Sequence, residues 1–192
     1  AQFGHCLAQV EWLNLGGGHL MTKADYDVPL LIKTLKNLRE RYPHLEVIME
    51  PGSAHLWGAG DLTAEVLDIV NNYGQRTLML DASFTCHMPD TLEMPYRPEV
   101  RGASREARSE FPYAYRLGGM SCLAGDYLAD YFFHQPIRVG DKIVFEDMAH
   151  YTTVKTTMFN GVPHPDIRLV DAHGEVLQQR TFGYQDYEAR MG

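Results

Sequence analysis

Glu11-Trp12-Leu13-Asn14-Leu15 runs into Gly16-Gly17-Gly18, and further on Leu45-Glu46-Val47-Ile48-Met49 runs into Glu50-Pro51-Gly52-Ser53. Both apolar runs are short, as buried strands are. Between them Asp27 is a plausible N-cap, and Val28, Leu31, Ile32, Leu35 and Leu38 follow helical spacing until Pro43 stops the helix. Strand, helix and strand with apolar strands predict a parallel α/β unit. A complete eight-stranded α/β barrel takes about 250 residues. This 192-residue chain could supply only the last strands of one. Two strands and one helix alone would leave a large apolar face uncovered. The expectation is therefore that the chain is a fragment.

Beyond Gly60 the texture changes. Residues 77–83, 142–148 and 151–159 are rich in β-branched or aromatic side chains and bounded by Gly, Pro or Asp, and they read as strands. Residues 166–182 read as a hairpin about Asp171-Ala172-His173-Gly174. Residues 62–70 are ambiguous between helix and strand. Residues 93–116 hold five of the twelve Arg and little periodicity, and read as a long connection. The α/β part ends within residues 53–60, and mainly β structure follows.

Composition narrows the partners. With 45 % hydrophobic and 22 % charged residues the chain can bury a core. A formal net charge of −8 disfavours nucleic acid, which calls for a basic face, and is compatible with a cationic substrate. No apolar run approaches a membrane span, and no secretory leader opens the sequence, so no membrane partner is expected. Cys6, Cys86 and Cys122 form an odd set without CxxC spacing, which fits a reducing cytoplasm. The nine histidines show no ligand spacing, and no metal site is expected.

Several residues could carry chemistry. Gly16, Gly17 and Gly18 after a strand let backbone N–H groups approach an anion, although such turns are often only structural. No Gly-Lys-Ser/Thr follows, so this is not a P-loop. Glu50 sits where a parallel barrel places its active site, at a strand's C-terminal end. Cys122, in Gly118-Gly119-Met120-Ser121-Cys122-Leu123-Ala124-Gly125-Asp126, reads by default as a small buried hydrophobe. By default Tyr151 is a strand aromatic and Asp90 a loop residue.

In this order and spacing the segments resemble one family, the fold-III decarboxylases that use pyridoxal 5'-phosphate (PLP). Leu15-Gly16-Gly17-Gly18 resembles the family's phosphate loop, and Glu50-Pro51-Gly52 the motif whose Glu meets the pyridine nitrogen. Cys122 with Asp126 resembles the cysteine motif that one subunit inserts into its partner's site. Ala149-His150-Tyr151-Thr152 and Phe159-Asn160-Gly161 resemble the C-terminal tyrosine and FNG region. Cys86-His87-Met88-Pro89-Asp90 occupies the place of the substrate-side aspartate loop.

The resemblance implies that residues 1–53 are the C-terminal part of a PLP-binding (β/α)8 barrel and 54–192 a C-terminal β domain, barrel or sandwich. It makes Cys122 the catalytic proton donor. Gly16, Gly17, Gly18, Glu50 and Tyr151 would hold PLP, and Asp90, Ser53 and Asp126 would contact a cationic, polyamine-like amino acid. A homodimer with shared active sites follows.

His87-Met88-Pro89-Asp90 and Cys122-Leu123-Ala124-Gly125-Asp126 resemble the carboxynorspermidine/carboxyspermidine branch, whose product is norspermidine or spermidine. Ornithine and diaminopimelate decarboxylases carry an acidic residue where Leu123 stands and Arg where Ser53 stands. They remain the alternative on this scaffold, beside a non-catalytic regulatory homologue. The family's PLP-binding lysine belongs to the early barrel, and its motif is absent from the sequence.

Overall fold

The computed structural model describes residues 3–192, and the chain divides into two compact units, 1–59 and 60–192. In the first, a one-turn helix α1 (Gly4–Leu7) precedes strand β1 (Trp12–Asn14), helix α2 (Val28–Arg41), strand β2 (Glu46–Ile48) and the one-turn helix α3 (Gly52–His55). β1 and β2 pair in parallel, with Leu13 opposite Val47. The Asp27 carboxylate accepts from Leu30 N–H and caps α2, as the sequence predicts. No residue of α2 is buried, however, and among the described residues of this unit only Leu45 and Ala54 are. The amphipathic pattern is present without a completed core.

The second unit holds β3 (Leu62–Asn72), β4 (Gln75–Leu80), α4 (Phe84–His87), α5 (Asp90–Glu93), β5 (Ala103–Ser104), β6 (Tyr113–Gly118), β7 (Tyr127–Phe133) and β8 (Lys142–Phe145). Helix α6 (Tyr151–Lys155), a 3-10 turn (Phe159–Gly161), the hairpin β9 (Ile167–Val170) and β10 (Val176–Arg180), and helix α7 (Tyr184–Met191) complete it. Six strands form one mixed sheet in the order β5-β7-β6-β4-β3-β8, with β4 and β6 parallel and the other pairs antiparallel. The sheet curls until one segment serves both edges. Val100 bridges Phe145 of β8, and Ala103, three residues on, pairs with Phe133 of β7. Hydrogen bonds from Arg101 N–H to the Val144 carbonyl and from Glu146 N–H to the Glu99 carbonyl, each 2.9 Å, reinforce that seam.

The concave face carries the core. Val66, Leu78, Leu80, Leu117, Tyr131 and Phe145 are fully buried, and Phe84 meets Phe145 edge-on at 5.8 Å between ring centres. The ambiguity of residues 62–70 has a local cause. Leu62, Ala64 and Val66 alternate inward, then a register shift between Val66 and Asp68 turns Ile69 rather than Asp68 toward the core.

Two expectations are corrected. Residues 151–159 are not a strand: Tyr151–Lys155 is helical, with Thr153 Oγ1 donating to the Ala149 carbonyl and Thr152 Oγ1 directed at the Met148 sulfur. β-branched residues fit a pleated surface with neighbours. Without a ladder to join, these threonines satisfy their hydroxyls on the preceding turn instead. The connection 93–116 is interrupted by β5, and its end is strand β6, whose Tyr115 and Leu117 are buried.

Phe145→Ala is expected to destabilise the second unit by about 3–5 kcal/mol, read from urea midpoints. Tyr73, fully exposed with φ 50° beside Gly74 in the two-residue β3–β4 turn, should behave oppositely. Tyr73→Asn should raise stability by about 0.5–1 kcal/mol, because Asn tolerates the left-handed backbone of such turns.

Candidate functional site

The residues singled out in the sequence fall into two groups, one in each unit. In the first unit the loops after β1 and β2 interlock. Leu15 N–H donates to the Ile48 carbonyl and Glu50 N–H to the Gly16 carbonyl, both at 2.9 Å. Gly16 and Gly18 have φ of 71° and 80°, where a side chain would be strained. A Cβ on Gly17 would stand 2.9 Å from the Glu50 carbonyl oxygen, so only glycine allows this approach. Gly16 N–H donates to Asn14 Oδ1 at 2.7 Å. Ser53 follows in α3, half-buried. The glycine amides and a strand-end carboxylate are thereby brought together, as an anion and a basic ring nitrogen would require.

In the second unit three segments meet: 84–93, 118–126 and 150–164. Asp126 joins the first two of these, buried, with Oδ1 accepting from Thr85 N–H and Oδ2 from Ser121 N–H, each at 3.0 Å. A Cβ on Gly119 would collide with this carboxylate. Burial pushes the Asp126 carboxyl up, but hydrogen bonds from Ser121, Thr85 and Ser83 outweigh it and hold the group below the usual carboxylate range. The stability this contributes is present above about pH 4 and is lost as the pH falls through the lowered folded value.

Cys122 is exposed, contrary to the default expectation of a buried hydrophobe. Its N–H donates to Asn160 Oδ1 at 2.9 Å, and Asn160 itself adopts φ 63°. Tyr151 is also exposed. Asp90 is paired with Lys155, whose ammonium also reaches Glu93 at 2.6 Å. The hydrogen bonds it donates to Asp90 and then to Glu93 push Lys155 up to about 12.

His87 clamps the first of these segments to the last. Ser83 N–H donates to its Nδ1 at 3.2 Å, which leaves Nε2 to donate to the Pro163 carbonyl at 3.1 Å. Burial holds His87 down at about 4, so it is neutral near pH 7.

Asn14, His87, Lys155 and Asn160 went unrecognised as individual site residues. Each acts through a partner distant in sequence, and only His87, within Cys86-His87-Met88-Pro89-Asp90, and Asn160, within Phe159-Asn160-Gly161, carry a local signal. Among the described residues no group of three His, Cys, Asp or Glu side chains is placed to hold a metal ion. No helix there is long and apolar enough to cross a membrane.

Residues 25–149 match the family described as pyridoxal-dependent decarboxylase, C-terminal sheet domain. The chain belongs to this family.

Carboxyaminopropylagmatine decarboxylase of Synechocystis sp. is 56 % identical over 99 % of this chain and 49 % of its own length. The carboxynorspermidine/carboxyspermidine decarboxylase of Campylobacter jejuni is 44 % identical over 98 % of this chain and 51 % of its own. The chain thus spans about half the length of the curated relatives it matches. The crystal structure of carboxynorspermidine decarboxylase complexed with norspermidine from Campylobacter jejuni matches with a TM-score of 0.82 at 42 % identity, covering 98 % of this chain and 53 % of that one. A crystal structure of diaminopimelate decarboxylase, at 16 % identity and a TM-score of 0.75, shares the fold. The curled mixed sheet is accordingly the C-terminal sheet domain of a fold-III, PLP-dependent decarboxylase homologue.

The His87 clamp has a measurable signature in this sheet domain. The stability it contributes is present above about pH 6.5 and is lost as the pH falls toward about 4, because the unfolded chain takes up a proton that the folded one refuses. In urea titrations the stability gap between wild type and His87→Gln should shrink by on the order of 3 kcal/mol between pH 7 and pH 4. A constant gap would remove His87 from the acid response.

Proposed function

We propose that the protein to which this chain belongs decarboxylates a carboxylated polyamine, using PLP held in part by residues 1–53. The observation that carries this reading is the meeting of the Cys122 loop, the FNG turn and the Asp90 helix in the sheet domain, with Asp90 and Glu93 already clasping an alkylammonium, that of Lys155. A distal cation of the substrate would replace that ammonium on Asp90.

The residues of the first unit suit the cofactor. Gly16 N–H is engaged by Asn14, but neither Gly17 nor Gly18 N–H meets a protein acceptor among the described residues, and both suit a phosphate. The Glu50 carboxylate is the partner for the pyridine nitrogen, and the exposed Tyr151 hydroxyl is a second hold on the phosphate. Bound PLP supplies an electron sink for the pair released when the substrate carboxylate leaves as carbon dioxide. The Cys122 thiol then delivers a proton to the α-carbon and is restored from solvent. Cys122 acts in the partner subunit's site, so a homodimer is required. Asp126, with both oxygens engaged by backbone, serves that cysteine loop rather than the substrate. Ser53, directly after the Glu50 turn, is the remaining substrate contact.

The partly filled first unit supports assigning residues 1–53 to the end of a (β/α)8 barrel, with 54–192 as the β domain. The rest of the barrel, carrying the PLP-binding lysine, would cover the exposed face of α2. Carboxynorspermidine or carboxyspermidine is one candidate substrate. The 56 % identity to the Synechocystis enzyme favours carboxyaminopropylagmatine as the other, since its guanidinium would fork across Asp90 and Glu93.

The test is a substrate panel on the protein with its lysine-bearing half: both carboxylated polyamine types, carboxyaminopropylagmatine, ornithine and diaminopimelate. Carboxylated polyamines should be turned over far faster than the two amino acids, and preference for ornithine or diaminopimelate would overturn the proposal. Cys122→Ala should slow product formation by about a hundredfold or more while PLP affinity stays within about twofold. Unchanged turnover would remove the proton-donor role. Borohydride reduction followed by intact mass should reveal one reduced PLP adduct, and its absence would point to a regulatory homologue.

A further inference from the structure

We propose that Asn14 is a positioning residue that couples the Glu50 carboxylate to the glycine loop, so that one side chain sets both contacts to the same ligand. This rests on the PLP reading above. Asn14 is the last residue of β1, and its amide uses both ends. Nδ2 donates to Glu50 Oε1 at 2.5 Å, and Oδ1 accepts from Gly16 N–H at 2.7 Å. Glu50 returns the connection through its backbone, donating to the Gly16 carbonyl at 2.9 Å, while Gly17 packs on the Glu50 carbonyl. The ring is closed: β1 end, glycine loop, β2 end, and back through one amide.

Two consequences follow. The Glu50 carboxylate has several rotamers open to it as an exposed side chain, and the Asn14 donor selects one. Gly16 N–H, bound to Asn14, is withheld from an anion, which leaves Gly17 and Gly18 as the amides that meet it. The distance between the carboxylate and those amides is thus set by a hydrogen-bonded link rather than by two independent loops. An amide is suited to this because it donates and accepts at once, and a carboxylate at position 14 could only do the second.

The experiment is an amide hydrogen-exchange cycle on Gly16 in the 192-residue protein, without PLP, using wild type, Asn14→Ala, Glu50→Ala and the double variant. Asn14→Ala should speed Gly16 exchange by about two- to tenfold. Glu50→Ala should speed it too when Asn14 is present, and should add nothing when Asn14 is absent. Asn14→Asp, which keeps the acceptor and loses the donor, should retain Gly16 protection while abolishing the effect of Glu50→Ala. That variant also decides the matter if Asn14→Ala fails to fold. An unchanged Gly16 rate in Asn14→Ala, or independent effects that multiply, overturns the coupling. A parallel PLP titration of the protein with its lysine-bearing half, followed by fluorescence, should be non-additive in the same pair by about twofold or more. If the protein with its lysine-bearing half fails to bind PLP while the exchange cycle is non-additive, the cofactor reading falls and the coupling stands.

Discussion

The Asp126 carboxylate, shut away from water, is the interaction on which the functional part of the sheet domain depends. A buried carboxylate is tolerated only when its lone pairs are occupied, and here backbone N–H groups from α4 and from the Ser121 turn occupy them. Removing the carboxylate would leave those amides without acceptors, at a cost of about 1–3 kcal/mol for each that stays buried. Gly119 is the steric condition, since any side chain there would take the carboxylate's space. Cys122 stays exposed because the turn around it is held from beneath, with Asn160 fixing it from the side.

The same logic recurs in the first unit, with a difference in kind. There the loops are held by backbone pairing and one amide side chain rather than by a buried charge. Each unit presents chemically capable residues on loops, backed by elements too short to hold them alone. Cross-links of high sequence separation supply the rigidity, such as Asn14 to Glu50 and His87 to Pro163.

Legibility in the sequence follows from that distinction. The Asp27 cap, the α2 periodicity, the parallel strands and the hairpin after residue 166 are local signals, and all four are present in the structure. Residues 62–70 were ambiguous because a bulge mixes two alternations in one strand. Residues 151–159 have strand propensity but no strand, because propensity describes a neighbour-filled surface and these threonines have no such neighbour. The candidate residues could be named from ordered motifs, yet their partners could not: nothing adjacent to Asn14 hints at a carboxylate 36 positions away. The burial of Asp126 is likewise set at a distance, since Thr85, which donates to it, lies 41 positions away.

The β9–β10 hairpin stands apart as a separate two-stranded sheet, and every residue of both strands is exposed, Leu169, Val176 and Leu177 among them. Two open edges with apolar side chains are a template on which another strand can align. A ribbon of this kind is marginal in water by itself. Handling the chain at high concentration therefore favours edge-to-edge association, and the glycine-tipped turn at Asp171–Gly174 is an accessible point for proteolytic nicking. A charged residue in place of Leu177 would improve solubility without touching any buried group.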